Sequence, residues 1–415
     1  MALIVSACDA ATTDTVTTPP STTATTTVEV STSATQVPTT STSTTTSTTT
    51  GSEQIVEPPS GEWLRTNPDL GGLIVDTRDM IWDGEAFYLL TRIGFGDVII
   101  WQSSDGIEWT EHSQIGTAGT LDGPGELVSV AGHLIAAGHR DGVATVWIDE
   151  GTTPWREVEV GQGAIRSLVN FKGTYVALGT SAVHEFASGA PPPPPPRHAV
   201  IWTSWDAETW TQVAGAEMFG DDSYAVGLLE GPAGLLTIGF DRLAPSDMRA
   251  VMVVTSTNGT EWTSHEPVGL DLAQADGLTG GPDGYAVRGG ASPILRSVDG
   301  IHWNPLLFDQ SLVPEGAFRA FAYPGRMASF QGQLVTAGGV RVKPEGSEGN
   351  FMLPRVWIHL GQGVWADLGA GEWFDRPGVT YEMVAGDDRL VVHGETEGED
   401  DDWALFTFVP DESEE

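Results

Sequence analysis

Cysteine and basic residues are scarce in this chain of 415 residues. Its only cysteine is Cys8, so no internal disulfide framework holds the fold together. Nineteen basic residues stand against 57 acidic ones, which gives a net charge of −38, and the only lysines are Lys172 and Lys343. A surface of this sign repels phosphate backbones and anionic lipid headgroups. We therefore expect no nucleic-acid partner and a strongly solvated acidic exterior.

The motifs of common catalytic and cofactor sites are also missing. The chain contains no HExxH or CxxC pair, no GxSxG elbow and no phosphate-binding P-loop. Carboxylates can meet anywhere in so acidic a sequence, so paired acids do not discriminate one function from another. The sequence therefore predicts no metal site and no cofactor. No segment reaches the run of about 18 apolar residues that a membrane helix needs.

The residues before Cys8 give that cysteine a specific context. Val5-Ser6-Ala7-Cys8 resembles the lipobox of bacterial lipoproteins, whose cysteine becomes the lipidated N-terminus after signal cleavage. The segment lacks a positively charged start, and its apolar stretch is shorter than the roughly 7 to 15 residues of a signal core. A start assigned too far downstream would explain both departures, and a chance match is the alternative. We expect residues 1–8 to be a truncated signal, with the protein lipid-anchored through Cys8 on the extracellular face of a bacterial cell membrane.

A different composition follows over residues 9–60. From Thr15 to Ser52 the only charged residue is Glu29, and threonine and serine dominate the text. Such a stretch cannot bury enough apolar surface to offset its ordering entropy, so we expect a disordered linker. A flexible chain of about 50 residues has a root-mean-square reach of roughly 40 Å. The other end of the chain, residues 411–415, reads as an acidic tail.

An internal repeat organises the sequence from Trp63 onward. In six copies a large apolar residue lies eight positions before a tryptophan, as in "VIIWQSSDGIEWTEH", where Trp101 precedes Trp109. Upstream of each copy are two short β segments joined by a glycine or acidic turn, as in "SVAGHLIAAGH". Four short β segments in each unit of about 50 residues predict a four-stranded antiparallel blade. The predicted fold class is therefore all-β, a β-propeller over residues 61–410.

The number of blades follows from the two ends of this region. A seventh strand pair, "EMVAGDDRLVVHGE", is followed by a third strand around Trp403, but no tryptophan follows eight residues later. The missing outer strand has a candidate in "GEWLRTN", because Trp63 precedes Trp109 by 46 residues, the same interval that separates Trp109 from Trp155. Pairing this N-terminal strand with the last sheet removes an exposed edge. We predict seven blades and a ring closed by the N-terminal strand.

The repeated tryptophans are predicted to be structural. Large aromatic side chains at one position of every blade pack between neighbouring sheets, and each buries about 150 to 250 Å². A role in stacking on carbohydrate would require them to be exposed, which their uniform repetition argues against. The tryptophans concerned are Trp63, Trp109, Trp155, Trp210, Trp262, Trp303 and Trp365.

Four of the copies carry a second feature before the tryptophan. The segments "SSDGIEW", "SWDAETW", "STNGTEW" and "SVDGIHW" resemble the Asp-box, or bacterial neuraminidase repeat, of sialidases and other propellers. The matching acid positions are Asp105, Asp206, Asn258 and Asp299, although the tryptophan lies four residues after the acid instead of five. In the families that carry it, the Asp-box is an element of the fold away from the catalytic site. We expect a tight type I′ hairpin turn, held by the serine and Asx side chains.

An enzyme is the alternative to a binding module. Resemblance to sialidases would imply six blades, an arginine triad for the substrate carboxylate, an acidic general acid, and a tyrosine nucleophile paired with a glutamate. The chain has seven predicted units and no Arg-Ile-Pro segment near the start of the domain. The preferred interpretation is a non-catalytic binding or scaffolding propeller, tethered at the cell surface and monomeric. An Asp-box-type glycoside hydrolase or lyase stays open.

Loop lengths predict where a ligand binds. The turns between strands one and two and between strands three and four share one face, while long connections lie on the opposite face, at residues 180–197, 240–248, 309–325, 340–353 and 369–380. Scarce cations follow the second strand of several blades, at Arg92, His139, Arg140, Arg242 and Arg341. Arginine suits bidentate recognition of an anion, so these residues are candidates for binding a glycan, a peptide or an envelope protein. Pairing with nearby acids at the rim is the alternative.

Overall fold

The computed structural model describes most of the predicted propeller domain. The described residues are 55–66, 75–94, 96–116, 123–151, 154–182, 197–241, 251–270, 277–288, 294–307, 312, 322–342, 351–369, 373–374, 376–396 and 402–411. The lipobox-like segment with Cys8, the linker as far as residue 54, Arg242 and residues 412–415 lie outside this set.

The fold is a ring of seven four-stranded antiparallel sheets, as the sequence predicts. We number these blades 1 to 7 in chain order. In each blade the first strand is innermost, because the first strands of neighbouring blades contact one another around the ring. The innermost strands are β2 (Val75–Trp82), β6 (Gly123–Val130), β10 (Ala164–Phe171), β14 (Ser223–Gly231), β18 (Gly277–Gly281), β22 (Ala322–Phe330) and β26 (Gly378–Ala385).

The second and third strands form the middle of each blade. The second strands are β3 (Phe87–Ile93), β7 (His133–Arg140), β11 (Thr174–Thr180), β15 (Gly234–Asp241), β19 (Gly284–Arg288), β23 (Gln333–Val342) and β27 (Leu390–Thr396). The third strands are β4 (Val98–Ser103), β8 (Val143–Ile148), β12 (Ala199–Ser204), β16 (Val251–Ser256), β20 (Ile294–Ser297), β24 (Phe351–Gly361) and β28 (Asp402–Pro410). Many of these strands read as near-continuous apolar runs because neighbouring blades cover both of their faces.

The outermost strands are short and polar on their solvent side. They are β5 (Thr110–Ile115), β9 (Arg156–Gln162), β13 (Thr211–Ala214), β17 (Thr263–His265), β21 (Asn304–Leu306), β25 (Val364–Asp367) and, in blade 7, β1 (Gly61–Arg65). One helical turn, α1 (Ala216–Phe219), connects blade 3 to blade 4. No described helix is long and apolar enough to cross a membrane.

The N-terminal strand closes the ring. Strand β1 pairs antiparallel with β28, and Trp63 lies opposite Phe408 in the register. The predicted closure is therefore confirmed, since blade 7 combines three strands from the end of the domain with one from its beginning. Closure leaves the third-strand edge of blade 7 paired, which removes a template for edge-to-edge aggregation.

Each repeated tryptophan packs in a different seam between two blades. Trp155 of blade 2 is buried with Tyr88 and Leu90 of blade 1, and Trp303 of blade 5 is buried with Leu236 of blade 4. The other five contact the remaining five interblade clusters, and the residues concerned are Trp63, Trp109, Trp210, Trp262 and Trp365. The seven apolar clusters thus follow the seven seams, and each contains one tryptophan of the repeat.

The two faces of the ring differ in their connections. The antiparallel order puts the first-to-second and third-to-fourth turns on one face, which we call the turn face. The second-to-third connections and the passages between blades lie on the opposite face, which we call the loop face. The predicted long segments of the loop face fall mostly outside the described residues. In blade 2 the second-to-third connection is only the turn of Asp141 and Gly142.

Four of the third-to-fourth turns share one hydrogen-bonding pattern, and we call them the Ser-x-Asx turns. In blade 1, the Ser103 hydroxyl donates to Asp105 Oδ1 at 3.0 Å, and the amides of Ile107 and Glu108 donate to the same oxygen at 2.8 and 3.0 Å. The indole of Trp109 donates to the carbonyl of the turn glycine at 3.1 Å. The same bonds recur around Asp206, Asn258 and Asp299. The turns therefore hold the tryptophans as well as the hairpins.

The backbone of these turns differs from the expected type I′ geometry. Only the residue after the Asx has a positive φ, at 71° in Gly106, 58° in Ala207, 81° in Gly259 and 75° in Gly300. A type I′ turn needs positive φ at both central residues, so that expectation is wrong. The reason is that two backbone amides donate to one side-chain oxygen of the Asx residue. This pair of hydrogen bonds stabilises a loop that is wider than a two-residue hairpin turn.

Candidate functional site

A β-bulge interrupts the innermost strand in six of the seven blades described. In blade 1 the register passes from Thr77 to Asp79, so Arg78 has no partner in β3. A bulge bends a strand and re-aims a side chain. Four of these bulges lie in the first half of the innermost strand, which is the half toward the loop face, and those of β14 and β22 lie at mid-strand. The four bulges of the first kind therefore lie toward the mouth of the central channel at the loop face.

Two of these bulges contain an arginine whose side chain is described, and one contains a tyrosine. Arg78 occupies the bulge of blade 1, Arg166 that of blade 3 and Tyr381 that of blade 7. In blade 6 the bulge contains Gly325 and Arg326. We call Arg78, Arg166 and Tyr381 the axial cluster. Blades 7 and 1 are neighbours in the ring, so Tyr381 and Arg78 lie on adjacent innermost strands, and Arg166 lies two blades further on.

The exposure of Arg166 indicates the direction of a side chain at a bulge. It is the only exposed residue of β10. Ile165 and Leu168 pack in the seam with blade 2, and Phe171 packs in the seam with blade 4. Because neighbouring blades cover both faces of the strand and Arg166 is its third residue, the exposed side chain lies toward the loop-face end of the strand. Arg166 therefore places a positive charge near the mouth of the central channel.

Arg78 is held by an acid of its own strand. Its guanidinium lies 2.7 Å from the carboxylate of Asp76, and their side chains are 35% and 57% exposed. The next residue, Asp79, turns away from the channel, because its Oδ2 accepts the amide hydrogen of Leu127 in blade 2 at 2.7 Å. Asp79 therefore has a structural role between blades, whereas Arg78 and Asp76 stay accessible to solvent.

Tyr381 lies at the seam between blades 7 and 1. Its hydroxyl donates to Glu395 Oε2 at 3.0 Å, and the residue is 46% exposed. Its ring stacks on the imidazole of His393 at 5.5 Å between centroids, and His393 in turn lies 5.1 Å from Trp403. The Trp403 indole donates to Thr77 Oγ1 at 2.9 Å, next to the bulge of blade 1. These contacts fix an exposed aromatic face on blade 7, near the seam with blade 1.

His393 is buried beneath Tyr381. Burial lowers the pKa of its imidazole to about 3, so the ring is neutral at physiological pH. Neither ring nitrogen has a hydrogen-bond partner among the described residues. The imidazole therefore acts as an aromatic support for Tyr381 and adds no charge to the axial cluster.

The five cations predicted from the sequence do not form this cluster. Arg92 is buried at the end of β3, and His139 and Arg140 end β7. Arg140 forms an ion pair with Glu157, donates to the Gly116 carbonyl at 2.7 Å and lies 5.6 Å from the Trp147 ring. The Arg140 side chain is therefore paired with an acid at the rim, which is the alternative to ligand binding that the sequence analysis left open.

The other two predicted cations are Arg341 and Arg242. Arg341 is exposed near the end of β23, and Arg242 lies outside the described residues. All described members are on second strands, one strand further from the axis than the bulges. A direct role of the five in binding stays a prediction.

The sequence contains a weak signal for the axial cluster. Arg78, Arg166 and Arg326 each precede the apolar core of a first strand by one or two residues, in "RDMIW", "RSLVNF" and "RMASF". The bulges shift by one or two residues between blades, so no fixed spacing aligns these arginines with the tryptophan repeat. Among the described residues no group of three or more histidine, cysteine, aspartate or glutamate side chains is arranged to hold a metal ion.

Comparison with known proteins shows no family for this chain. No protein-family model and no curated protein matches it. A Trypanosoma rangeli sialidase in complex with sialic acid is 12% identical over 68% of this chain and 53% of its own, with a TM-score of 0.37. An acylaminoacyl peptidase in complex with a chloromethyl ketone is 11% identical over 80% and 51%, with a TM-score of 0.48.

A designed protein is also similar. The computationally designed Ika8 protein is 13% identical over 80% of this chain and 96% of its own, with a TM-score of 0.42. This chain spans about half the length of the sialidase and the peptidase. At these identities the likeness concerns the fold and assigns no activity.

Proposed function

We propose that the propeller is a non-catalytic binding module that takes a carboxylate-bearing glycan at the loop-face mouth of its central channel. The observation that carries the proposal is the exposure of Arg166 near the start of an innermost strand whose other residues are buried or half-buried. In a chain of net charge −38, a guanidinium on the axis is a local reversal of sign. Such a reversal in a concave mouth concentrates an anionic ligand.

Each member of the axial cluster has a role in this proposal. Arg166 and Arg78 would bind carboxylate oxygens through their planar guanidinium groups. Asp76 holds Arg78 in place at 2.7 Å and can exchange its partner for the ligand, because both side chains are accessible. The exposed ring of Tyr381 supplies a flat surface on which a sugar ring can pack. The combination of two cations and an aromatic face favours an acidic sugar over a simple anion.

A glycoside hydrolase is the second candidate, and one contact favours it. Tyr381 donates its hydroxyl hydrogen to Glu395 at 3.0 Å, beside Arg78. A tyrosine nucleophile that transfers its proton to a neighbouring carboxylate would need this arrangement. Asp76, 57% exposed on the adjacent blade, would be the candidate acid for the leaving group. If the Ser-x-Asx turns are Asp-boxes, they take no part in either function, because they lie on the turn face.

The two ends of the propeller domain lie next to each other. Gly61 pairs with Pro410, and the amide of Asp411 donates to the Ser60 carbonyl at 2.9 Å, so both ends of the domain meet at the turn face. In our proposal, a lipid on Cys8 tethers the protein to the cell envelope through the threonine-rich linker.

Binding to a glycan array tests the proposal. The array carries glycans that end in sialic or uronic acid beside their neutral parents, together with acidic peptides. We expect binding to the acidic glycans, loss of at least tenfold in affinity in Arg166→Gln, and little change in Arg156→Gln, whose ion pairs with Glu150 and Glu208 are exposed on the rim. Equal binding to neutral parents, or binding to the peptides alone, would contradict the proposal.

A further inference from the structure

A cavity of about 280 Å³ opens on the turn face, between blades 5 and 6. Its walls include Tyr285 and Arg296 of blade 5, Gln333 and His359 of blade 6, and the glycine-rich turn 280–284. Val56, on the segment that leads into β1, contributes to the wall, and its amide donates to the Leu360 carbonyl at 3.0 Å. The cavity therefore lies on the face opposite the axial cluster.

The cavity occurs where the Ser-x-Asx turn is missing. In blades 1, 4 and 5 the turn glycine packs on the second strand of the preceding blade, so that an added Cβ would lie 2.8 Å from Val391, 3.1 Å from Val176 and 2.5 Å from Leu236 respectively. These turns fill their seams. In blade 6 the equivalent stretch is "HLGQGVW", in which His359 takes the serine position.

The local contacts of blade 6 differ accordingly. The Gly363 amide donates to His359 Nε2 at 3.2 Å, and the Trp365 indole donates to the Leu307 carbonyl at 3.1 Å, not to a carbonyl of its own turn. The imidazole instead contacts the Trp365 ring at 5.0 Å between centroids, with an angle of 59° between the ring planes. The turn is thus built around its own histidine and tryptophan, and the space between it and the 280–284 turn of blade 5 stays open.

The lining combines hydrogen-bond donors with an apolar wall. The amide nitrogen of Gln333 is buried and has no acceptor among the described residues. A buried donor without a partner costs free energy, and an acceptor brought by a ligand would remove that cost. The guanidinium of Arg296 lies in the same lining, 3.3 Å from the Asp283 carbonyl. Leu334, Leu360 and Val56 provide the apolar side.

We propose that this cavity is a second binding site, for a small monocarboxylate with a compact apolar body. The carboxylate would accept hydrogen bonds from Gln333 Nε2 and from Arg296, while the apolar body would lie against Leu334 and Leu360. The volume lies just under the roughly 300 to 1,000 Å³ of pockets for drug-sized molecules, so the ligand has the size of a single aromatic acid or amino acid. The site shares no residue with the axial cluster, so the test of one proposal does not depend on the outcome of the other.

Calorimetric titration of the full chain with benzoate tests this site, with benzamide as the uncharged control of the same shape. We expect saturable binding of benzoate and at least tenfold weaker binding of benzamide. Gln333→Leu and Arg296→Gln should each weaken benzoate binding about tenfold or more. Arg166→Gln, which changes only the axial cluster, should leave it unchanged.

A third variant protects the test against misfolding of the first two. Ser329 lines the cavity from an exposed position, so Ser329→Trp should block the cavity while Gln333 and Arg296 are kept. We expect this variant to melt at the parental temperature and to lose benzoate binding. Absence of saturable benzoate binding to the parent would overturn the proposal, as would unchanged affinity in the folded Ser329→Trp protein.

Discussion

The indole nitrogen of Trp63 donates a hydrogen bond to the carbonyl oxygen of Leu368 at 2.6 Å, across 305 residues of sequence. Trp63 lies in the strand that closes the ring, and Leu368 follows the outer strand of blade 6. The Trp63 ring also contacts Phe374 at 5.2 Å and Phe408 at 5.3 Å between centroids. One side chain thus joins the start of the domain to its last two blades.

Removing this closure contact should lower stability in two steps. Trp63→Phe keeps most of the packing and loses the hydrogen bond, so we expect a loss of about 1 kcal/mol. Trp63→Ala also loses the aromatic packing, and the loss should reach about 3 kcal/mol or more. Thermal melts measure both. Trp205→Phe is the control, since Trp205 is 66% exposed and should change stability little, and equal effects at the two tryptophans would contradict the closing role of Trp63.

The Ser-x-Asx turns should be intolerant of a methyl group at their glycine because of the neighbouring blade. In Gly106→Ala the new Cβ would lie 2.8 Å from Val391 Cγ2, at a φ of +71°. Gly132 has a similar φ of +80° but nothing within 4 Å, so Gly132→Ala reports the backbone strain alone. We expect about 1 kcal/mol of destabilisation at Gly132 and a further 1 to 3 kcal/mol or so at Gly106. Similar melting temperatures for the two variants would show that the turn does not lock the seam.

Acid should weaken the same turns through their carboxylates. Hydrogen bonds from the amides of Thr209 and Glu208 and from the Ser204 hydroxyl lower the pKa of Asp206 to about 2. A carboxylate with a lowered pKa contributes stability above its unfolded pKa of about 3.9, and this contribution is lost as the pH falls through the folded value. Asn258 shows that an amide accepts the same bonds. We therefore expect Asp206→Asn to fold normally and to reduce the fall in melting temperature between about pH 4 and pH 2.

The reciprocal change provides the check on that prediction. Asn258→Asp should add a carboxylate to an equivalent turn and steepen the loss of stability over the same pH range. If neither variant alters the pH dependence of the melting temperature, the turn carboxylates do not contribute to acid stability.

The buried His393 should lower stability at a higher pH than the turn carboxylates do. Burial lowers the pKa of His393 to about 3, below its usual value. The unfolded chain therefore takes up a proton as the pH falls below about 6.5, while the folded chain does not, so stability falls by about 1.4 kcal/mol per pH unit until the folded pKa is reached. His393→Leu should flatten the stability profile between about pH 6 and pH 4, as measured by denaturant unfolding. An unchanged slope would show that His393 does not titrate as its burial indicates.

Tyr381→Phe separates the two candidate functions at the axial cluster. The variant keeps the aromatic ring and loses the hydroxyl that donates to Glu395. If the site only binds, the affinity for an acidic glycan should change by about twofold or less, and neither protein should cleave it. Mass spectrometry of sialylated and uronic-acid glycans incubated with each protein measures turnover. Cleavage by the parent that disappears in Tyr381→Phe would replace the binding proposal with the hydrolase.

The sequence by itself determined the architecture. The eight-residue interval before each tryptophan requires a strand, a turn and a second strand in every unit, and the interval of 46 residues from Trp63 to Trp109 identified the closing strand. These are local and periodic signals: the eight-residue interval occurs in six blades, and the N-terminal strand completes the seventh. The four Ser-x-Asx turns were also recognisable in the sequence. Their backbone geometry was not, because the convergence of two amides on one oxygen is a property of the folded loop.

Only the tertiary structure decided which residues surround the axis. Arg78, Arg166 and Tyr381 reach the channel because a bulge shifts the pairing of the innermost strand at those positions. Strand side chains alternate with a period of two, so a single unpaired residue reverses which side the following residues face. No interval in the sequence marks a bulge, and the arginines that sequence spacing did align lie one strand further out. The cavity beside Gln333 could not be predicted from sequence spacing either, because it depends on how the side chains and turns of two neighbouring blades pack against each other.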